Sequence, residues 1–409
     1  MTKQSPRRPT RVSGFTRREV LRAGFAGIGL FAVGPTILGC GSESGGTSGK
    51  VSNIANLGPL GDADANGVRL PAGFSSRIVA RSRQKPIAEL VYTWHSAPDG
   101  GATYATDDGG WIYVSNSELP LQGGVGALRF DAAGNLVDAY PILAGTNINC
   151  AGGATPWGTW LSCEEFDQGQ VWECDPYGLG TAVVRPALGR FQHEAVAVDT
   201  DHNHLFLTED VPDGRFYRFR PDQLVDGRPD LTAGTLEVAQ VIGGATGSVV
   251  WHVLPNPTPT LSETATRNQI AESTVFKGGE GIWFREGMIY FTTKGDNRVW
   301  VYDTHGETIE ILYDDDSFES PVLRGVDNVT ATESGDILVA EDGDDMQVVA
   351  ITPSGLIIPL LQVVGQTGSE ITGPAFSPDG SRLYFSSQRG ARNHPGDGMT
   401  FEVTGPFYL

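Results

Sequence analysis

The sequence predicts an all-β fold, a six-bladed β-propeller with an insertion between the third and fourth repeats. Three observations lead to this prediction. A motif of three apolar or aromatic residues, one small residue and one polar group recurs six times after residue 110, the intervening loops carry turn-forming residues, and no stretch keeps the 3.6-residue period of a helix. Repeats of roughly 40–50 residues that contain only short strands are typical of propellers, in which the same end of every blade meets at one central channel.

The six copies of the motif are almost evenly spaced. Their first residues lie 47, 46, 84, 48 and 46 positions apart, so the 84-residue step contains one period plus an insertion, which we place within residues 225–275. The copies begin at Ile112, Thr159, Leu205, Ile289, Ile337 and Leu383.

The strand before each motif copy is predicted to be the innermost strand of its blade. Turn signals such as Asp131 to Asn135 and Pro378-Asp379-Gly380 separate the other strands into hairpins. The predicted innermost strands are 151–154, 195–198, 281–284, 329–332 and 374–377.

The N-terminus reads as an export signal. Arg17-Arg18 forms a twin-arginine pattern, an apolar run follows, and the run ends in a lipobox at Cys40, so residues 1–39 are predicted to be a Tat signal peptide. The alternatives are an ordinary membrane anchor or a plain cleavage site just beyond. We expect recognition by the Tat translocase, a periplasmic or cell-surface location, and membrane contact only through the signal peptide or a lipid on Cys40. Residues 41–58 are predicted to be a flexible tether and residues 59–409 a single propeller domain.

The charge of the body limits its partners. The whole chain has a formal net charge of −20, and the part after residue 39, with 22 basic and 48 acidic residues, has −26. This excess repels the phosphate backbone of nucleic acids and anionic membranes. Acidic groups gathered in one channel would instead attract divalent cations, although much of such an excess is commonly a solvated surface.

Three cysteines follow the lipobox. Cys163 and Cys174 flank a predicted hairpin turn, which leaves a disulfide between them open, and an odd number of cysteines leaves one unpaired. Cys150 is then the thiol without a partner.

Polar residues stand at the mouths of the predicted innermost strands. Several carboxylates buried at one level of a channel repel each other, and bound cations would remove that cost. Carboxylates suit a hard ion such as calcium, whereas a thiolate among them points to a transition metal such as iron. Each residue also has an ordinary structural alternative, for example a buried apolar thiol or a turn at Asp327-Asn328. The predicted metal-site residues are Cys150, Glu194, Glu280, Asp327, Asn328 and Glu370.

The same residues carry a resemblance to a known family. The block from Asn149 to Glu165 (Asn-Cys-Ala-Gly-Gly-Ala-Thr-Pro-Trp-Gly-Thr-Trp-Leu-Ser-Cys-Glu-Glu) resembles the hallmark of the PhoX-type alkaline phosphatases. Residues 189–195, 207–210, 370–374 and 377–380 resemble further motifs of that family, and the Tat leader is also what the family uses. The similarity covers most of residues 60–409, and the chain is shorter than the well-known members.

The resemblance implies a six-bladed propeller with an iron–calcium cluster (Fe³⁺ and Ca²⁺) that hydrolyses small phosphomonoesters, with diesters as a further class. It implies that Cys150 binds iron and that the carboxylates complete the iron and calcium shells. An arginine is expected shortly before Glu280 to hold the phosphate. This chain has Lys277 there, and Arg389 at the end of the last repeat is a second candidate for that role.

Two other functions fit the same residues. The first is a calcium-stabilised propeller that binds a ligand or partner without catalysis. The second is a lactonase-type hydrolase that uses a channel calcium with Asn328 and the acidic residues. Neither needs iron, so visible absorption by an iron thiolate separates them from the phosphatase.

Overall fold

The structure is a computed structural model that describes residues 49–409. The predicted Tat signal peptide, the lipobox at Cys40 and residues 41–48 of the predicted tether lie outside these residues. Every helix in the described part is a single 3-10 turn of three residues, and none could cross a bilayer. These turns are Ile54–Asn56, Pro186–Leu188, Thr266–Asn268, Lys294–Asp296, Asp315–Ser317 and Pro395–Asp397.

The rest of the regular structure is β-strand, as the sequence predicts. The strands of the first half are β1 (Val68–Arg69), β2 (Ser75–Arg81), β3 (Pro98–Ala105), β4 (Trp111–Ser117), β5 (Gly123–Phe130), β6 (Leu136–Thr146), β7 (Asn149–Ala154), β8 (Trp160–Glu164), β9 (Val171–Cys174), β10 (Val183–Val184), β11 (His193–Asp199), β12 (His204–Glu209), β13 (Phe216–Pro221), β14 (Leu224–Val225) and β15 (Arg228–Pro229). Those of the second half are β16 (Gly234–Ile242), β17 (Gly247–Val253), β18 (Gly279–Arg285), β19 (Met288–Thr293), β20 (Arg298–Asp303), β21 (Thr308–Asp314), β22 (Val326–Ala331), β23 (Ile337–Glu341), β24 (Gln347–Ile351), β25 (Ile357–Val363), β26 (Ile371–Phe376), β27 (Arg382–Ser387) and β28 (Met399–Thr404).

The strands form antiparallel sheets in a propeller-like arrangement. Three sheets have four strands each, in the orders β3-β4-β5-β6, β7-β8-β9-β10 and β26-β27-β28-β2, and a five-stranded sheet has the order β22-β23-β24-β25-β1. A nine-stranded sheet runs β11-β12-β13-β16-β17-β21-β20-β19-β18, and the small hairpin β14-β15 stands apart. The strands β3, β7, β11, β18, β22 and β26 lie side by side in a closed ring. The ring contains all the predicted innermost strands and adds β3, which the sequence analysis did not identify.

Apolar side chains fill the spaces between neighbouring sheets. Phe206 and Phe216 of one part of the nine-stranded sheet pack with Phe291 and Trp300 of the other, and similar clusters separate the other sheets. Because the core is divided in this way, the centre of the ring remains available for polar groups.

The N-terminal strands complete sheets formed by the end of the chain. β2 pairs with β28, and β1 pairs with β25. The last residues of the predicted tether are also part of the body, because Ile54 is fully buried with Leu360 and Phe407. The packed body therefore includes Ile54, which the sequence analysis assigned to the tether of residues 41–58.

A buried carboxylate joins the two ends of the chain. Glu402 on β28 is only 2% exposed and accepts hydrogen bonds from Arg77 Nη2 at 2.7 Å, Arg382 Nη1 at 2.6 Å and the Tyr384 hydroxyl at 2.6 Å. Arg77 lies on β2, so this network holds the closing strand in place.

Removal of the Glu402 carboxylate should destabilise the closure. We expect Glu402→Ala to lower the free energy of unfolding by about 3 kcal/mol, because it leaves guanidinium groups without their buried partner. Glu333→Ala is the control, since the Glu333–Lys50 pair is exposed and should contribute less than about 1 kcal/mol. Thermal and urea unfolding measure both effects, and equal losses in the two variants would contradict the assignment.

Candidate metal centre

A β-bulge lies at the same place in each strand of the inner ring. In all six strands three residues oppose two of the partner strand, so one residue is extra. A bulge bends the strand and redirects a side chain. In five of the strands the first bulge residue is a carboxylate or a thiol: Asp99, Cys150, Glu194, Glu280 and Asp327.

The sixth inner strand departs from this pattern. Gly373 takes the first bulge position in β26, and Glu370 precedes the strand. The sequence analysis placed Glu370 level with the other carboxylates, whereas the register puts it three residues before the bulge. Asp99 of β3 holds the bulge position instead.

A second ring of polar residues follows the strand next to each inner strand. The residue directly after β4, β8, β12, β19, β23 or β27 lies beside the bulge level, because each of these strands pairs with an inner strand. These residues are Glu118, Glu165, Asp210, Lys294, Asp342 and Gln388.

The two rings place ligand atoms close together. Three groups each have all their ligand atoms within 4.8 Å of one another. Cys150 belongs to the first two groups and Glu194 to the last two, so the groups form a continuous band. The groups are Asp99, Glu118 and Cys150; Cys150, Glu165 and Glu194; and Glu194, Glu280 and Asp327.

Glu194 lies at the centre of this band and lacks partners. Its side chain is fully buried, its Oε1 receives only the Cys150 thiol at 3.4 Å, and its Oε2 has no hydrogen-bond partner among the described residues. Burial raises the pKa of Glu194 well above its usual range, and the nearby Glu280 and Glu165 raise it further. A buried oxygen of this kind, aimed into a band of carboxylates, fits a metal ligand.

The neighbouring groups are perturbed in the same direction. Burial and repulsion from Glu118 raise the pKa of Glu165 to about 9. Burial and Asp210 raise the pKa of Glu280 to about 8, although Lys294 opposes the shift. Burial and then Asp99 raise the pKa of the Cys150 thiol well above its usual value. Each shift disfavours the charged form, and a bound cation would reverse it.

Two cationic side chains reach the carboxylates. Arg389 Nη1 lies 2.9 Å from Glu370 Oε1, and its Nη2 lies 3.3 Å from Asp342 Oδ1. Lys294 Nζ lies 2.7 Å from Glu280 Oε1 and 2.5 Å from Asp210 Oδ2. Arg389 thus lies beside two acids of the channel, and its predicted role in holding the phosphate stays a prediction.

Lys277 is exposed and makes no ion pair within residues 49–409. The phosphate-binding role that the sequence analysis gave to Lys277 stays a prediction, and the lysine that contacts Glu280 is Lys294. The turn that carries Lys294 lies against residue 277, because the Gly295 N–H donates to the carbonyl of Lys277 at 2.9 Å. The two lysines are therefore neighbours, although only one enters the acidic cluster.

Amide side chains fix the positions of several carboxylates. Asn328 donates to Asp327 Oδ1 at 2.7 Å, and its own side-chain oxygen accepts the Gly373 N–H at 2.7 Å. Asn328 therefore orients Asp327, and its oxygen is engaged elsewhere, which differs from its predicted role as a metal ligand. Gln388 Nε2 lies 2.5 Å from both Asp99 Oδ2 and Glu118 Oε2.

Sequence reasoning named four of the seven residues of this band. Cys150, Glu194, Glu280 and Asp327 are brought together, but Asp99 was missed because β3 precedes the first motif copy. A signal was available: Asp99 is followed by Gly-Gly-Ala, and Cys150 by Ala-Gly-Gly-Ala. The other two cysteines, Cys163 and Cys174, are buried free thiols away from the band.

The channel becomes apolar beyond the bulges. A cavity of about 260 Å³ is lined by residues that follow the bulge residues, among them Gly152, Val196, Ile282 and Val329. Space is short where the strands approach: a Cβ on Gly153 would lie 1.8 Å from the carbonyl oxygen of Val196. Gly153 is thus required by the close approach of β7 and β11, and Gly152 by that of β8, because a Cβ there would lie 2.0 Å from the carbonyl oxygen of Leu161.

Comparisons with known proteins were made with this geometry in hand. The family model described as alkaline phosphatase PhoX matches residues 123–181 and 166–310. Among curated proteins, none matches the sequence.

Solved structures give the fold. The structure of Pseudomonas fluorescens PhoX in complex with vanadate, a transition state analogue, has a TM-score of 0.70 at 16% identity, and the match covers 87% of this chain and 98% of that chain. A protein of unknown function from Bacteroides thetaiotaomicron has a TM-score of 0.51 at 9% identity, with 84% of each chain covered.

The raised pKa values make a prediction for the metal-free protein. An acid whose folded pKa is raised binds more protons in the folded state, so its contribution to stability is present below the unfolded pKa and is lost as the pH rises through the folded pKa. For Glu280 and Glu165 that window extends up to pKa values of about 8 and about 9. With chelator present, the melting temperature should fall by roughly 5 °C or more between pH 5 and pH 9.

Differential scanning calorimetry at several pH values tests this. Glu165→Gln should reduce the fall, because it removes one of the titrating groups, and saturating calcium should largely abolish it. A melting temperature that is constant or rises over this pH range in chelator would contradict the electrostatic account.

Proposed function

Because the chain belongs to the PhoX alkaline phosphatase family, we propose that it is an exported metal-dependent phosphatase. It hydrolyses phosphate monoesters, with diesters as a further class, at an iron–calcium cluster in the central channel. The observation that carries the proposal is the Cys150–Glu194 pair, a thiol and a fully buried carboxylate with an unpartnered oxygen at the centre of the acidic band.

The donor set fits both metals. A thiolate from Cys150 suits iron, and the carboxylates around it suit calcium or the hard side of an iron ion. In this proposal Cys150, Glu194 and Glu165 hold iron. The flanking carboxylates, including Asp99 and Glu118 on one side and Glu280 and Asp327 on the other, complete the site.

Bound cations would supply Lewis acidity and an activated oxygen nucleophile for attack on phosphorus. The chain itself contributes position and charge. Asn328 holds Asp327, and Gln388 holds Asp99 and Glu118, so the ligand oxygens are oriented in advance. Arg389, whose side chain is 27% exposed beside Glu370, provides a guanidinium that can pair with phosphate oxygens.

The finer points of architecture and location belong to the same proposal. We count the nine-stranded sheet as two blades, β11-β12-β13-β16 and β18-β19-β20-β21, joined through β17, which makes six blades with the insertion after the third motif copy. Export by the Tat translocase and a lipid on Cys40 would place the folded, metal-loaded protein in the periplasm or on the cell surface.

The test uses purified, exported protein. Elemental analysis should find iron and calcium, the visible spectrum should show absorption, and a generic phosphomonoester should be hydrolysed. We expect Cys150→Ala to lose the visible absorption and to lower kcat/KM by about 100-fold or more, since loss of a direct ligand should cost at least as much as loss of a group that orients one.

Cys163→Ala is the matched control, because it removes a fully buried thiol from an apolar cluster and should keep both properties. Calcium without iron in a colourless protein would contradict the iron cluster and favour a calcium-dependent lactonase or a binding protein. Full phosphatase activity in Cys150→Ala would also overturn the assignment.

A further inference from the structure

One position in the second ring has the opposite charge to its neighbours. In four of the six repeats, the residue directly after the strand that pairs with the inner strand carries a carboxylate. In the sheet β26-β27-β28-β2 this residue is the amide Gln388. After β19 it is Lys294. The strand register is the same in these sheets. The Lys294 ammonium therefore lies at a position where four other repeats have a carboxylate.

The contacts of Lys294 show that it occupies a site between two acids. Its Nζ lies 2.7 Å from Glu280 of the bulge ring and 2.5 Å from Asp210 of the second ring. Asp210 follows β12 near one end of the nine-stranded sheet, and Glu280 lies on β18 at its other end. Burial alone would lower the pKa of Lys294, but Glu280 and Asp210 outweigh it and raise the pKa, so the side chain remains an ammonium.

The backbone is shaped for this lysine. The Lys294 N–H donates to the carbonyl oxygen of Gly278 at 2.9 Å. A Cβ on Gly278 would lie 2.9 Å from Lys294 Cγ, and Gly278 has a φ of +66°, which favours glycine. Gly278 therefore leaves room for the stem of Lys294, which reaches back towards Asp210 and Glu280.

An ammonium and a divalent ion compete for these oxygens. A calcium ion binds carboxylate oxygens at about 2.3–2.6 Å. The Lys294 ammonium and a calcium ion cannot both lie between Asp210 and Glu280, because the two cations would repel each other strongly. Asp210 is, moreover, absent from the three close groups of ligand atoms, whereas Glu280 joins one of them.

We propose that Lys294 is a built-in cation of the metal centre, whose ammonium takes the place of one divalent ion between Asp210 and Glu280. The inference rests on the proposed metal centre but not on its catalytic activity. Its consequence is that divalent ions are confined to the side of the channel that contains Cys150 and Glu194, and that this chain binds fewer ions than its carboxylates alone would allow.

The test counts ions in the full-length protein. Wild type, Lys294→Met and Lys277→Met are purified in calcium, freed of unbound ions and analysed for metals per chain. Lys294→Met should hold one more divalent ion than wild type. Lys277→Met should match wild type, because it removes the same charge from the neighbouring exposed lysine.

A second measurement separates a metal effect from a folding effect. In chelator, Lys294→Met should melt at a lower temperature than wild type, since Asp210 and Glu280 lose their counter-ion, and calcium should restore the melting temperature. The double variant Lys294→Met with Asp210→Asn should lose the additional ion again.

Equal or lower ion counts in Lys294→Met and wild type would overturn the inference. So would a variant that keeps the wild-type ion count and loses only affinity for vanadate, because Lys294 would then bind the substrate anion. A wild-type protein that binds ions but hydrolyses no phosphoester would contradict the proposed phosphatase function. The comparison of ion counts would still test the role of Lys294.

Discussion

Electrostatic repulsion among buried carboxylates is the constraint on which the rest of the channel depends. Two rings of acids meet at one level, and burial together with neighbouring acids raises the pKa values of Glu194, Glu165 and Asp327. Cationic side chains of the protein compensate this repulsion for some of the acids and not for others. Lys294 and Arg389 neutralise acids on the side of the nine-stranded sheet and of the last sheets. Glu280 of the band pairs with Lys294, but within residues 49–409 no ammonium or guanidinium forms an ion pair with Glu165 or Glu194. A bound cation would compensate the negative charge there.

Backbone geometry makes this concentration of charge feasible. The bulge recurs in every inner strand, and in five of the six it redirects a carboxylate or thiol side chain toward the same level. Directly beyond it, glycines such as Gly153 let neighbouring strands approach so closely that the channel narrows to an apolar cavity. The acids therefore lie directly beside an apolar part of the channel. This position limits their contact with water and would strengthen their interaction with a bound cation.

The closure of the ring brings the acidic side chains of the channel together. β2 completes the sheet of β26, β27 and β28, and the buried Glu402 fixes it there. With the ring closed, β26 lies beside β3, so Gln388 near the end of the chain holds Asp99 near its start. The cluster of candidate metal ligands is consequently a property of the whole ring, since its residues come from several sheets.

The sequence by itself determined the all-β class, the repeat and the polar positions at the starts of the innermost strands. Cys150 and Glu194 were predictable because the repeat places equivalent residues at one level, and periodicity is a local property of the chain. Asp99 was not, since its strand precedes the first copy of the motif. The choice between Lys277 and Lys294 was decided only by tertiary structure: both lie near Glu280 along the chain or across a hairpin, and a lysine stem is long and flexible. Only the pairing of β18 with β19 and the space left by a glycine determine which ammonium enters the acidic cluster.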